Sequence, residues 1–116
     1  MKITKITSDK LGSNTYIVET DEGIIVIDPS VSIELITDVA KKAKKKIQYA
    51  LITHGHFDHC CTAAALQKQG VKILMSAEDY SMFEKGYDLS RFFGGNFQKF
   101  VPDMFISEGK YHLIGL

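Results

Sequence analysis

Apolar and polar positions along the chain fall into short runs whose period switches between that of strands and that of helices. Residues 2–7 and 14–20 read as strands, the second placing Tyr16 and Val18 on one face. Asp21-Glu22-Gly23 reads as a hairpin-like turn. The run Gly23-Ile24-Ile25-Val26-Ile27 is apolar without alternation and stops at Asp28-Pro29-Ser30, as a strand buried on both faces does. Residues 32–45 carry Ile36, Val39, Ala40 and Ala43 at i, i+3, i+4 and i+7, one stripe of an amphipathic helix. A second apolar strand, Ile47 to Ile52, runs into Thr53-His54-Gly55-His56.

Residues 58–69 read as a helix ended by Gly70, with Asp58 suited to the positive end of its dipole. A strand at 71–75 follows, and Ser76-Ala77-Glu78-Asp79 resembles a capping box opening a short helix that stops at Gly86. From Tyr87 to Phe100 the chain is loop-like and aromatic. Core packing is the expected role for most of these rings, and lining of a substrate cleft is the alternative. Two short strands, near 101–106 and 110–114, close the segment. The alternation of strand and helix in the middle of the chain predicts an α/β arrangement, an α+β fold with a mixed sheet. The predicted helices cover one face of that sheet, so the other face needs a different cover.

Composition narrows the class further. The chain has 116 residues, 45% hydrophobic and 24% charged, which predicts a single globular domain over 1–116 and excludes a mainly disordered chain. Its longest uninterrupted apolar runs, such as Ile24–Ile27, are too short to span a membrane. Met1-Lys2-Ile3-Thr4-Lys5 lacks the apolar segment of a secretory signal. Fourteen basic and fourteen acidic side chains cancel, so no global field recruits nucleic acid or an anionic membrane. The cluster Lys41-Lys42-Ala43-Lys44-Lys45-Lys46 suits the C-terminal dipole of a helix. An anion or nucleic-acid patch is its alternative, disfavoured by the single arginine of the chain. Cys60 and Cys61 are adjacent and are the only cysteines, so no framework of bridges is expected, and a reducing, cytoplasmic setting is.

His54-Gly55-His56-Phe57-Asp58-His59 packs four potential metal ligands into six residues. Imidazole nitrogen and carboxylate oxygen are donors that a zinc-like divalent ion accepts. An extended segment can point His54 and His56 the same way, and Gly55 adopts whatever turn the loop needs. Asp58 and His59, at the start of the following helix, can face a neighbouring point. The expected outcome is two ligand pairs serving adjacent metal positions, with Phe57 turned into the core.

The stretch Thr53 to His59 resembles the HxHxDH motif of the metallo-β-lactamase-fold hydrolases, with the glyoxalase-II-like branch, which cleaves thioesters or other esters, the most similar in character. Ser13 to Val18 and Ile24 to Ser30 are similar to the family's first strands, Ile73 to Glu78 to a later strand–helix step, and Asp103 to Gly109 to a polar turn. The resemblance implies that His54 and His56 bind a first metal and that Asp58 and His59 bind a second, with Asp58 also beside the nucleophilic water. Asp28 matches an aspartate that supports the metal loops from behind; an Asx-type turn before Pro29 is the other reading. Zinc is the implied ion, with iron or manganese as alternatives. Such an ion lowers the pKa of its water toward about 7 and polarises a substrate carbonyl.

Members of that family are longer, with an αββα sandwich built from two similar halves. The resemblance here is to the N-terminal half, and the remaining ligands belong to the other. His112 is the one spare histidine, either a ligand or an edge residue. Cys60 and Cys61 either pack at a helix start or supply a substitute ligand. His56 stands where the di-iron electron-transfer relatives commonly have a glutamate. The expectation is a metal-dependent hydrolase lineage acting on a small-molecule ester, assembled as a homodimer or with a complementary second half. A non-catalytic metal-binding or interaction module, or a truncated fragment without activity of its own, are the alternatives.

Overall fold

A computed structural model describes residues 2–8, 12–53, 62–77, 80 and 100–106. The elements, in order, are β1 (Lys2–Thr7), β2 (Asn14–Glu19), β3 (Ile24–Ile27), α1 (Ile33–Ala43), β4 (Ile47–Ile52), α2 (Ala63–Lys68), β5 (Lys72–Ser76) and β6 (Met104–Ile106). The six strands form one sheet in chain order. β1–β2 and β2–β3 are antiparallel, whereas β3–β4, β4–β5 and β5–β6 are parallel. The sheet is therefore mixed, as the alternation of elements predicts.

Local chemistry explains the connections. The Thr20 hydroxyl accepts from the amides of Glu22 and Gly23 and so closes the β2–β3 turn. α1 ends where Lys44 turns left-handed (φ 57°), its amide donating to the Lys41 carbonyl at 3.2 Å. The helix is thus shorter than the 32–45 read from periodicity. α2 gives way at Gly70, whose φ of 94° is open to glycine. Asp103 fastens the approach to β6 to the edge of β5: its amide donates to the Ile73 carbonyl and its carboxylate accepts from the Ile73 amide, both at 2.8 Å.

Both helices pack on one face of the sheet. Ile36 and Ala40 of α1 and Ala63, Ala64 and Leu66 of α2 join Ile17, Val26, Ile52 and Ile73 in the main core. Phe100 is buried in this core, the role expected for most of the aromatic segment. Strand register sets two cross-strand rows on the opposite face, Ile3-Val18-Ile25-Tyr49-Lys72 and Lys5-Tyr16-Ile27-Leu51-Leu74-Met104. Val18 and Ile25 form a second apolar cluster there with Ile27 and Tyr49. Gln48, Tyr49 and Leu51 are half-buried, so β4 is less enclosed than its apolar sequence suggests.

Ala77 and Tyr80 are helical, after the strand as expected. The start of the 58–69 helix, the aromatic residues 87–99 and the expected strand at 110–114 lie outside the described residues. No described helix is long and apolar enough to cross a membrane.

Candidate metal centre

β3 and β4 run parallel, so the residues that follow them, Asp28 and Thr53, emerge at the same end of the sheet. Asp28 is buried and has a φ of 53°, a conformation that aspartate tolerates better than most residues. Its amide donates to the Leu51 carbonyl at 2.9 Å. Its carboxylate accepts twice from one residue: Oδ1 from the Thr53 amide at 2.7 Å and Oδ2 from the Thr53 hydroxyl at 2.5 Å. Asp28 thus bonds across the strands to β4, rather than only within a local Asx turn.

The same turn also holds the chain beyond the histidine-rich stretch. The Thr62 amide donates to the Pro29 carbonyl at 2.8 Å, and the Thr62 hydroxyl to the Val31 carbonyl at 2.6 Å. Residues 28–31 therefore bond to both Thr53 and Thr62, the residues that flank 54–61. His54, His56, Asp58 and His59, with Phe57, Cys60 and Cys61 among them, fall in this interval, outside the described residues, as does His112. Thr53 is visible in the sequence only as the first residue of the stretch that resembles the motif. Thr62 lies inside the 58–69 helix read from the sequence, whereas the described helix starts at Ala63.

The described cavity of about 450 Å³ lies elsewhere. Its lining includes Lys41, Lys44, Lys45, Lys46, Ile47 and Val71, at the beginnings of β4 and β5. Asp28 and Thr53 stand at the opposite ends of the parallel strands, so this cavity is not part of the candidate centre.

A sequence profile described as the metallo-beta-lactamase superfamily matches residues 8–110. The chain belongs to this superfamily. A probable metallo-hydrolase of Streptococcus pyogenes serotype M6 is 37% identical over 59 residues, 51% of this chain and 25% of that protein. The type 2 metallo-beta-lactamase of Bacillus cereus is 30% identical over 87 residues, 71% of this chain and 34% of that one. The chain therefore spans only about a quarter to a third of these curated relatives.

Among solved structures, the B3 metallo-beta-lactamase BLEG-1 superposes with a TM-score of 0.78 at 20% identity, covering 98% of this chain and 57% of that one. A protein crystallised in a di-iron-bound form also gives 0.78, at 29% identity, over 94% of this chain and 56% of that one. The six-stranded sheet with two helices is the superfamily fold over roughly half the length of these structures.

The chain's own residues fit a divalent ion in this superfamily site. Three imidazoles and a carboxylate are borderline-to-hard donors of the kind zinc and iron accept. The buried Asp28 carboxylate fastens the residue immediately before the first histidine. Metal sites are commonly supported from behind in this way.

Proposed function

We propose that this metallo-hydrolase-superfamily chain carries the metal-binding half of a hydrolase that cleaves a thioester or another ester, in the manner of glyoxalase II. The observation that carries the reading is the attachment of one buried turn, 28–31, to both flanks of the His/Asp stretch. His54 and His56 would hold one divalent ion, and Asp58 and His59 a neighbouring one, with zinc the ion of choice and iron or manganese as alternatives. When bound, such an ion acidifies water to a pKa of about 7 and polarises a carbonyl.

The chain's residues do the rest. Asp58 orients the attacking water through its carboxylate, and Asp28 keeps Thr53 and the chain leading to His54 in place. A second copy of the chain or a complementary half is the partner this reading proposes.

The test is thioester hydrolysis by zinc-loaded protein beside His54→Ala and Asp58→Ala. Loss of rate in both variants supports the reading, and equal rates in all three overturn it. A non-catalytic metal-binding module is the second reading. Stoichiometric zinc in a protein without hydrolysis would select it.

A further inference from the structure

Positive charge converges at the end of the sheet away from the candidate metal centre. Lys41, Lys44, Lys45 and Lys46 all line the cavity of about 450 Å³ at the beginnings of β4 and β5, a volume in the range of small-molecule sites. Buried Ala40, Ile47 and Val71 form its floor, and the exposed Gln69 completes its α2 side. The described lining holds no acidic residue. Among the described residues, none of the four lysines has an ion-pair partner.

Compensation of the helix dipole explains only part of this cluster. Lys41 and Lys42 occupy the last turn of α1, where cations are favoured. The carbonyls of Ala40 and Lys41 at that end already accept backbone amides, from Lys44 and, for Ala40, also from Lys45. Lys42 is absent from the described lining, whereas Lys45 and Lys46, which follow the helix, belong to it. The left-handed turn at Lys44 reverses the chain and returns them to the side of Lys41.

The backbone of both walls is fixed. The Lys46 carbonyl accepts the Ile24 amide at 2.9 Å, and the Val71 amide donates to the Leu66 carbonyl at 3.2 Å. Ammonium groups gathered around one concavity focus a positive potential, and an anion relieves their mutual repulsion. Lysine meets phosphate as a point charge, whereas planar, two-pronged pairing with a carboxylate favours arginine.

We propose that this cavity binds a compact anion carrying two or more phosphate charges, held by Lys41, Lys44, Lys45 and Lys46 with the side-chain amide of Gln69 as a further donor. The site is separate from the candidate metal centre and stands independently of the hydrolase reading.

The experiment is calorimetric titration of the full chain with inorganic tripolyphosphate, before and after treatment with EDTA, accompanied by thermal melts. The variants are Lys41→Gln/Lys46→Gln, both exposed and in the lining, and Lys42→Gln/Lys68→Gln, both exposed and outside the described lining with the same loss of charge. Wild type is expected to bind with and without EDTA, less tightly as salt is added, and to melt at a higher temperature with the anion. The lining pair should bind about tenfold more weakly and the control pair within about twofold of wild type. Equal losses in the two pairs would reduce the attraction to net charge and overturn the site. Binding that vanishes after EDTA would place the anion on a metal and overturn it as well. So would a folded wild type that binds no tripolyphosphate, or one that binds polyglutamate more tightly, which would assign the cavity to an acidic polypeptide.

Discussion

Asp28 and Thr53 are 25 residues apart in the chain and share two hydrogen bonds, Oδ1 to the Thr53 amide at 2.7 Å and Oδ2 to the Thr53 hydroxyl at 2.5 Å. A left-handed residue before a proline is a costly conformation, of the order of 1–3 kcal/mol. Asp28 persists in it because its amide, its carbonyl and its carboxylate are all engaged by neighbouring strands. The strain is concentrated at the one position where β3 must turn under the end of β4.

Asp28→Ala removes both acceptors and places an alanine at a φ of 53°, so it is expected to destabilise the fold by about 2–3 kcal/mol in urea unfolding. Asp28→Asn tolerates the backbone and retains an acceptor for the Thr53 amide, and its loss should be about 1 kcal/mol or less. Equal losses in the two variants would show that the acceptor and the backbone preference of residue 28 are immaterial.

Thr15→Val keeps the shape of a fully buried side chain but leaves the Asp28 carbonyl and the Ser30 and Val31 amides short of a partner. A loss of about 1–3 kcal/mol is expected, with partial recovery in Thr15→Ser. Denaturant midpoints at constant m-value check it.

The legible parts of this fold are those with local signatures. β1 and β4 have the bounds their patterns predict, Lys2–Thr7 and Ile47–Ile52, because polar and turn residues delimit them. The stripe Ile36, Val39, Ala40 and Ala43 does face the core. α1 stops short of its apolar pattern because its stop is a lysine in the left-handed region, where glycine or asparagine is the usual signal. In the candidate centre, the histidine motif and Asp28 are visible as residue types. The hydroxyls of Thr15 and Thr62 are not, since bonds that span 13 to 31 residues leave no periodic trace.

The two chain reversals behind the helices should respond to mutation with opposite signs. Lys44→Gly relieves the left-handed lysine at the end of α1 and is expected to stabilise the protein by about 0.5–1 kcal/mol. Gly70→Ala meets no atom within 4 Å, yet it is expected to cost about 1–2 kcal/mol because its φ of 94° disfavours any Cβ. Urea unfolding of both variants checks the pair, and a destabilised Lys44→Gly would contradict the reading of that cap.

The sheet face away from the helices carries the row Lys5-Tyr16-Ile27-Leu51-Leu74-Met104, in which every residue after the first is apolar or aromatic. Ile3 of the neighbouring row and Met104, at the two margins of this face, are 58% and 47% exposed. Tyr16, Ile27, Tyr49 and Leu51 on this face are half-buried, while Val18, Ile25 and Leu74 are buried, and partly exposed apolar positions grouped on one face suit a binding partner. A second copy of the chain is the cover we propose, and sedimentation of the wild type is expected to give twice the chain mass of 13.0 kDa. Tyr49→Glu introduces a charge beside Lys72, its cross-strand neighbour, at a half-buried position packed on Val18 and Ile25, where an apolar interface does not accept it. That variant should sediment as a monomer with an unchanged far-UV spectrum. A wild type that remains monomeric across concentrations would refute the pairing, and so would a Tyr49→Glu variant that dimerises as tightly as wild type.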